Sequence, residues 1–147
     1  MNKSQVQEEL ETAVRETHAK YDVFQGVIVF GSFPTSEHPN DLDLLPVMRE
    51  YGGNIDFSPV SEDDPEDDQP DYQLWKEIEL YFASYFSTQG HKVIIKKYRE
   101  RDGLIHLESL VSLDNPIQLK REVERYKADP NNFIGTEEAR TKLKNIF

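Results

Sequence analysis

Two short apolar segments joined by a turn-rich connector constrain this chain more than any other feature. Residues 27–30 read VIVF, a β-branched run with Gly26 before it and Gly31 after it. Such a run has the look of a strand buried on both faces. The connector GSFPTSEHPN (31–40) carries two prolines and an Asn-Asp junction, and it reads as a loop or a very short helix. Residues 41–48, DLDLLPVM, alternate polar and apolar before turning fully apolar, as a second strand does on entering a core.

Helical periodicity surrounds this pair. Val6, Leu10, Ala13, Val14 and Tyr21 recur near every 3.6 residues and predict an amphipathic helix over 3–21, ended at Gln25-Gly26. NIDFSPV (54–60), with Ile55 and Phe57 on one face, reads as a third strand. Leu74, Ile78, Tyr81, Phe82 and Tyr85 predict an aromatic-rich helix over 72–88, stopped by Gly90. HKVIIKKY (91–98) and GLIHLESLVSL (103–113) read as strands, joined as a hairpin by RERDG. Asn115, Pro116 and Gln118 resemble a cap, a first-turn proline and a capping-box partner for a helix over 116–127. Thr136 with Glu137 and Glu138 opens a last helix, whose Leu143, Ile146 and Phe147 are expected to dock on the core. The expectation is an α/β (α+β) fold, a short mixed β-sheet backed by helices. With 147 residues it forms one domain, 1–147, large enough to bury a core without staples.

Composition removes whole classes of chemistry. There is no cysteine, so disulfide frameworks, zinc ribbons, iron–sulfur sites and thiol nucleophiles are excluded. No apolar run approaches the roughly 18 residues of a membrane span, and MNKSQVQEELE lacks a signal peptide's apolar stretch. The expectation is a soluble, cytoplasmic protein that engages no membrane. The net charge of −11 argues against strong non-specific nucleic-acid binding. It is unevenly spread. SEDDPEDDQPD (61–71) holds seven acids and no base, so the remainder carries only −4, and residues 91–147 carry 12 Lys/Arg against 9 Asp/Glu. The acidic stretch is expected to be a solvated, mobile loop. The basic half leaves room for a phosphate-bearing ligand.

The chemistry concentrates at Gly31-Ser32 and Asp41-Leu42-Asp43-Leu44. Residues two apart on a strand share a face, so Asp41 and Asp43 project together with Cα atoms roughly 6.5–7 Å apart, while Leu42 and Leu44 enter the core. Two such carboxylates repel, and hard cations are their natural neutralisers. The spacing suits a pair of ions about 3.5–4 Å apart, as in two-metal phosphoryl transfer. Gly31 permits close backbone approach to a phosphate, and the Ser32 hydroxyl and the amides of the turn can donate to its oxygens.

The segment VIVFGSFPTSEHPNDLDLLPVM resembles the DNA polymerase-beta-type nucleotidyltransferase superfamily in its minimal single-domain form. With YGGNIDF following, it is similar to a small bacterial branch of nucleotidyltransferase-like proteins. The resemblance covers about 22 of the 147 residues. It implies a short mixed sheet backed by helices and transfer of a nucleoside monophosphate from an NTP. The acceptor would be a hydroxyl on a protein, an RNA or a small molecule, and the cofactor Mg²⁺, with Mn²⁺ as a substitute. By this carry-over Gly31 and Ser32 hold the triphosphate, and Asp41 and Asp43 bind the metals.

Active members add a third carboxylate from a neighbouring strand. Asp56 is the leading candidate, as a catalytic residue beside Asp41 and Asp43. Glu108, on the same face as His106, is another, and a site with no third carboxylate is the remaining alternative. His38 reads as exposed and His106 as a tolerated half-buried histidine rather than a base. Lys92, Lys96, Lys97, Arg99 and Arg101 read mainly as a solvated sheet face that blocks edge pairing. The competing function is a catalytically silent nucleotide-binding or regulatory module, for example one half of a toxin–antitoxin pair.

Overall fold

A computed structural model describes residues 2–49, 70–87, 93–95 and 105–147. Helix α1 (Lys3–Lys20) starts where the Asn2 side chain accepts a hydrogen bond from the Gln5 amide, and it buries Val6, Leu10, Ala13, Val14 and Thr17 along one stripe. Strand β1 (Phe24–Phe30) and strand β2 (Leu42–Met48) are buried throughout. Helix α2 (Pro70–Ser87) follows, then strands β3 (Val93–Ile95), β4 (Ile105–Leu107) and β5 (Val111–Ser112). Helix α3 (Pro116–Arg125), strand β6 (Phe133–Gly135) and helix α4 (Glu137–Ile146) complete the order. The fold is α+β, a mixed sheet with helices on its faces, as the sequence predicts.

The sheet runs β3-β4-β2-β1-β6, with β5 also on β2. β1 pairs antiparallel with β2 and with β6, whereas β4 and β5 run parallel to β2. Two apolar cores flank it. On one face Val27, Val29, Leu42, Leu44, Ile105 and Leu107 pack with α1 and α2 through Leu10, Val14, Ile78 and Phe82. On the other Ile28, Phe30, Leu45 and Val47 pack with α3 and α4 through Leu119, Val123 and Leu143. Burial of β1 and β2 on both faces explains their nearly unbroken apolar sequence.

Several sequence expectations change. β1 begins before Gly26, which lies inside the strand, beside a register shift between Phe24 and Gly26. Gly26 (φ +144°) faces Gly135 of β6 so closely that a Cβ on either would meet the partner strand's backbone. The segment 103–113 is two short strands rather than one. β4 covers β2 from Leu42 to Leu44 and β5 from Val47 to Met48. Pro46, which has no N–H to donate, lies in the interval between them. β3 pairs parallel with β4, so the two are neighbours but not a hairpin. A charged, glycine-containing connector suggests a turn but does not encode strand direction.

Helix α2 starts at Pro70, so the last two residues of the expected loop 61–71 are helical, while 61–69 lie outside the described residues. The expected third strand 54–60, with Asp56, also lies outside them, as do Lys92, Lys96, Lys97, Arg99 and Arg101. β6 was not apparent in the sequence; a three-residue edge strand carries too short a pattern to read. Asn115 does cap α3, accepting from the Gln118 amide. The Gln118 side chain does not reach back to complete a capping box. It donates to the Leu110 carbonyl (2.8 Å) and accepts from the Ser112 amide (3.3 Å), tying α3 to the strand it follows. No helix among the described residues is long and apolar enough to cross a membrane.

Candidate metal and phosphate site

The site forms where β1 ends and β2 begins. Gly31 leaves β1 with φ +73°, a left-handed backbone that L-residues adopt at a cost. The chain then turns back, with the Ser32 carbonyl accepting from the amides of Thr35 (3.2 Å) and Ser36 (2.8 Å). Phe33 is buried and anchors the turn in the α1/α2 core. Lys3 binds its far end by donating to the Ser36 carbonyl at 2.8 Å. Gly31 and Ser32 themselves are exposed, and so is His38.

Asp43 lies opposite Phe30 on one side and beside His106 on the other. An added Cβ at Gly31 would lie 2.6 Å from Asp43 Oδ2, so the glycine bend and this carboxylate are in direct apposition. The other oxygen, Oδ1, is 2.9 Å from His106 Nδ1. Asp43's two oxygens are thus divided between the imidazole and the turn. Asp41, just before β2 and half-buried, brings its Oδ2 within 3.7 Å of the same Nδ1. Ligand atoms from Asp41, Asp43 and His106 all lie within 4.8 Å of one another. The two aspartates therefore do share a side of the sheet, as their i, i+2 spacing predicts.

Burial holds the Asp43 carboxyl above the ordinary aspartate range. The hydrogen bond from His106 opposes this, while the negative charges of Asp41 and Glu108 reinforce it. Glu108 follows β4 and is buried; its amide donates to the Leu44 carbonyl at 3.0 Å. Of the three alternatives for a further carboxylate, Glu108 thus acts electrostatically on Asp43, and Asp56 lies outside the described residues.

His106 corrects its sequence reading. It is 2% exposed, not half-buried, and it points at both aspartates. The alternation Ile105-His106-Leu107-Glu108 signals that His106 and Glu108 share a face, but only the parallel register of β4 on β2 sets His106 beside Asp43. Tyr126, after α3, contributes to the same region. Its ring packs 5.3 Å from Phe30 and its hydroxyl lies 3.3 Å from Ser109 Oγ, so it spans the strand between them. Compared with protein-family models, curated proteins and solved structures, the chain finds no significant match.

Proposed function

We propose that this protein transfers a nucleoside monophosphate from an NTP to a hydroxyl acceptor, at a cation site formed by Asp41 and Asp43 facing the Gly31-Ser32 bend. The observation that carries the reading is the apposition of Gly31 and Asp43 Oδ2, which sets the exposed Gly31-Ser32 bend against the carboxylate pair. The donor set fits a divalent cation: two carboxylates with oxygens in reach of each other, one of them buried at an electrostatic cost that a positive ion relieves. When bound, Mg²⁺ or Mn²⁺ supplies charge neutralisation of the triphosphate.

The chain's own residues do the positioning. His106 fixes Asp43 through Oδ1 and leaves Oδ2 toward the turn. Gly31 keeps side-chain bulk away from that oxygen, and the exposed Ser32 offers a hydroxyl to phosphate oxygens. Half-exposed Asp41 has the freedom to adjust to the incoming charge. The acceptor hydroxyl oxygen attacks the α-phosphorus in line, the bond from the α-phosphorus to its bridging oxygen breaks as pyrophosphate leaves, and the hydroxyl proton passes to solvent. Rate enhancement then comes from orientation and fixed charge rather than from a covalent intermediate.

The test is label transfer from each α-labelled NTP to fractionated protein, RNA and metabolites, with pyrophosphate release measured in parallel. Asp43→Asn is expected to lower transfer at least about 100-fold while leaving the circular dichroism spectrum unchanged. Retained transfer in that variant refutes the reading. One observation favours a second reading, nucleotide binding without transfer: the residue registered beside Asp43 on β4 is His106, an imidazole and not a further carboxylate. That reading predicts calorimetric NTP binding with no pyrophosphate released.

A further inference from the structure

We infer that His106 is itself a metal ligand, so that the inner ion of this site is a first-row transition divalent such as Mn²⁺ in preference to Mg²⁺. This rests on the reading of Asp41 and Asp43 as a cation site, and not on the transfer reaction, so the two can fail separately.

Two donors bound to one ion at about 2.1 Å lie about 3 Å apart when at right angles and about 4.2 Å apart at opposite poles. His106 Nδ1 and Asp43 Oδ1 are 2.9 Å apart, an adjacent-ligand spacing. His106 Nδ1 and Asp41 Oδ2 are 3.7 Å apart, between the two limits. Asp41 is the most exposed of the three and can rotate to close the remainder. The same three atoms therefore serve a hydrogen bond in the free site and one ion in the loaded site, where the Nδ1 lone pair faces the ion.

His106 is 2% exposed, and its Nδ1 is directed at both carboxylates. Its Nε2 is buried and makes no hydrogen bond among the described residues. The ring's polar contacts among them thus converge on the site. Asp43 Oδ1 already lies 2.9 Å from Nδ1 while its Oδ2 faces the Gly31 bend, so the His106–Asp43 edge is preformed.

Donor chemistry then selects the ion. An all-oxygen set suits Mg²⁺, which demands near-ideal octahedral oxygen ligation and keeps its waters. One imidazole nitrogen with two carboxylates shifts preference toward Mn²⁺, Fe²⁺ or Zn²⁺.

The test uses chelator-treated full-length protein and Mn²⁺ alone, with no nucleotide. Pulsed electron paramagnetic resonance of bound Mn²⁺ is expected to show coupling to one imidazole ¹⁴N. His106→Gln is expected to lose that coupling and to narrow the Mn²⁺-over-Mg²⁺ preference at least about tenfold. His18→Gln, His38→Gln and His91→Gln are expected to keep it. If His106→Gln does not fold, the wild-type spectrum and the other three variants still decide the matter by elimination. Saturable Mn²⁺ binding without nitrogen coupling overturns the inference, as does coupling that persists in a folded His106→Gln or no saturable binding at all.

Discussion

Replacing Gly31 by alanine tests the arrangement on which the site depends. Two costs add. At φ +73° an L-residue sits in the left-handed region, which costs about 1–2 kcal/mol. The new methyl lies 2.6 Å from Asp43 Oδ2, so the carboxylate has to turn away by most of an ångström. Asp43 is not free to yield cheaply, because Oδ1 is bound to buried His106. Forcing a side chain off its rotamer by such an amount costs about 0.5–1.5 kcal/mol. Gly31→Ala is therefore expected to destabilise by roughly 1.5–3.5 kcal/mol, lowering Tm by roughly 5–10 °C. Urea unfolding followed by the fluorescence of Trp75, the single tryptophan, buried on α2, measures it. The two costs separate in a double-mutant cycle with Asp43→Ala. In that background the carboxylate is gone and only the backbone cost of about 1–2 kcal/mol remains. Equal losses in both backgrounds, or a loss below about 0.5 kcal/mol in the wild type, would refute the claim that the bend and the carboxylate touch.

Two further outcomes follow from the fold. The Tyr21 hydroxyl donates to Glu77 at 2.8 Å, and burial together with that bond pushes its pKa up to about 12. Its contribution to stability is present below pH 10 and lost as pH rises through 12, so Tyr21→Phe should flatten the alkaline fall in Tm across that window. An unchanged slope would show that the α1–α2 contact does not depend on this proton. Gln118→Ala leaves the Leu110 carbonyl and the Ser112 amide without the partners they have now, at about 1–3 kcal/mol each. Hydrogen exchange at Ser112 should accelerate markedly in this variant, and wild-type protection there would contradict the role given to Gln118.

What was legible in the sequence was local. The VIVF and DLDLLPVM runs announced two buried strands because a strand covered on both faces has no reason to alternate. The i, i+2 spacing of Asp41 and Asp43 announced a shared face because pleating has a period of two. Asn115 and Thr136 announced their helices because each cap is satisfied within three residues, at the amides of Gln118 and Ala139. The errors arose where the partner is distant. A hairpin was expected at 91–113, yet β3 and β4 run parallel, since the direction of a strand is set by what it pairs with.

The sequence by itself determined the two strands, their connecting bend and a matched pair of acids. Each depends only on neighbours a few residues away, which the chain order supplies directly. The tertiary structure alone decided that His106, 63 residues beyond Asp43, completes the cluster. It also decided that Gly31 closes over one oxygen of Asp43 while the imidazole takes the other. Both follow from strand register, antiparallel on one side of β2 and parallel on the other, and a register is a property of two segments packed together that neither carries alone.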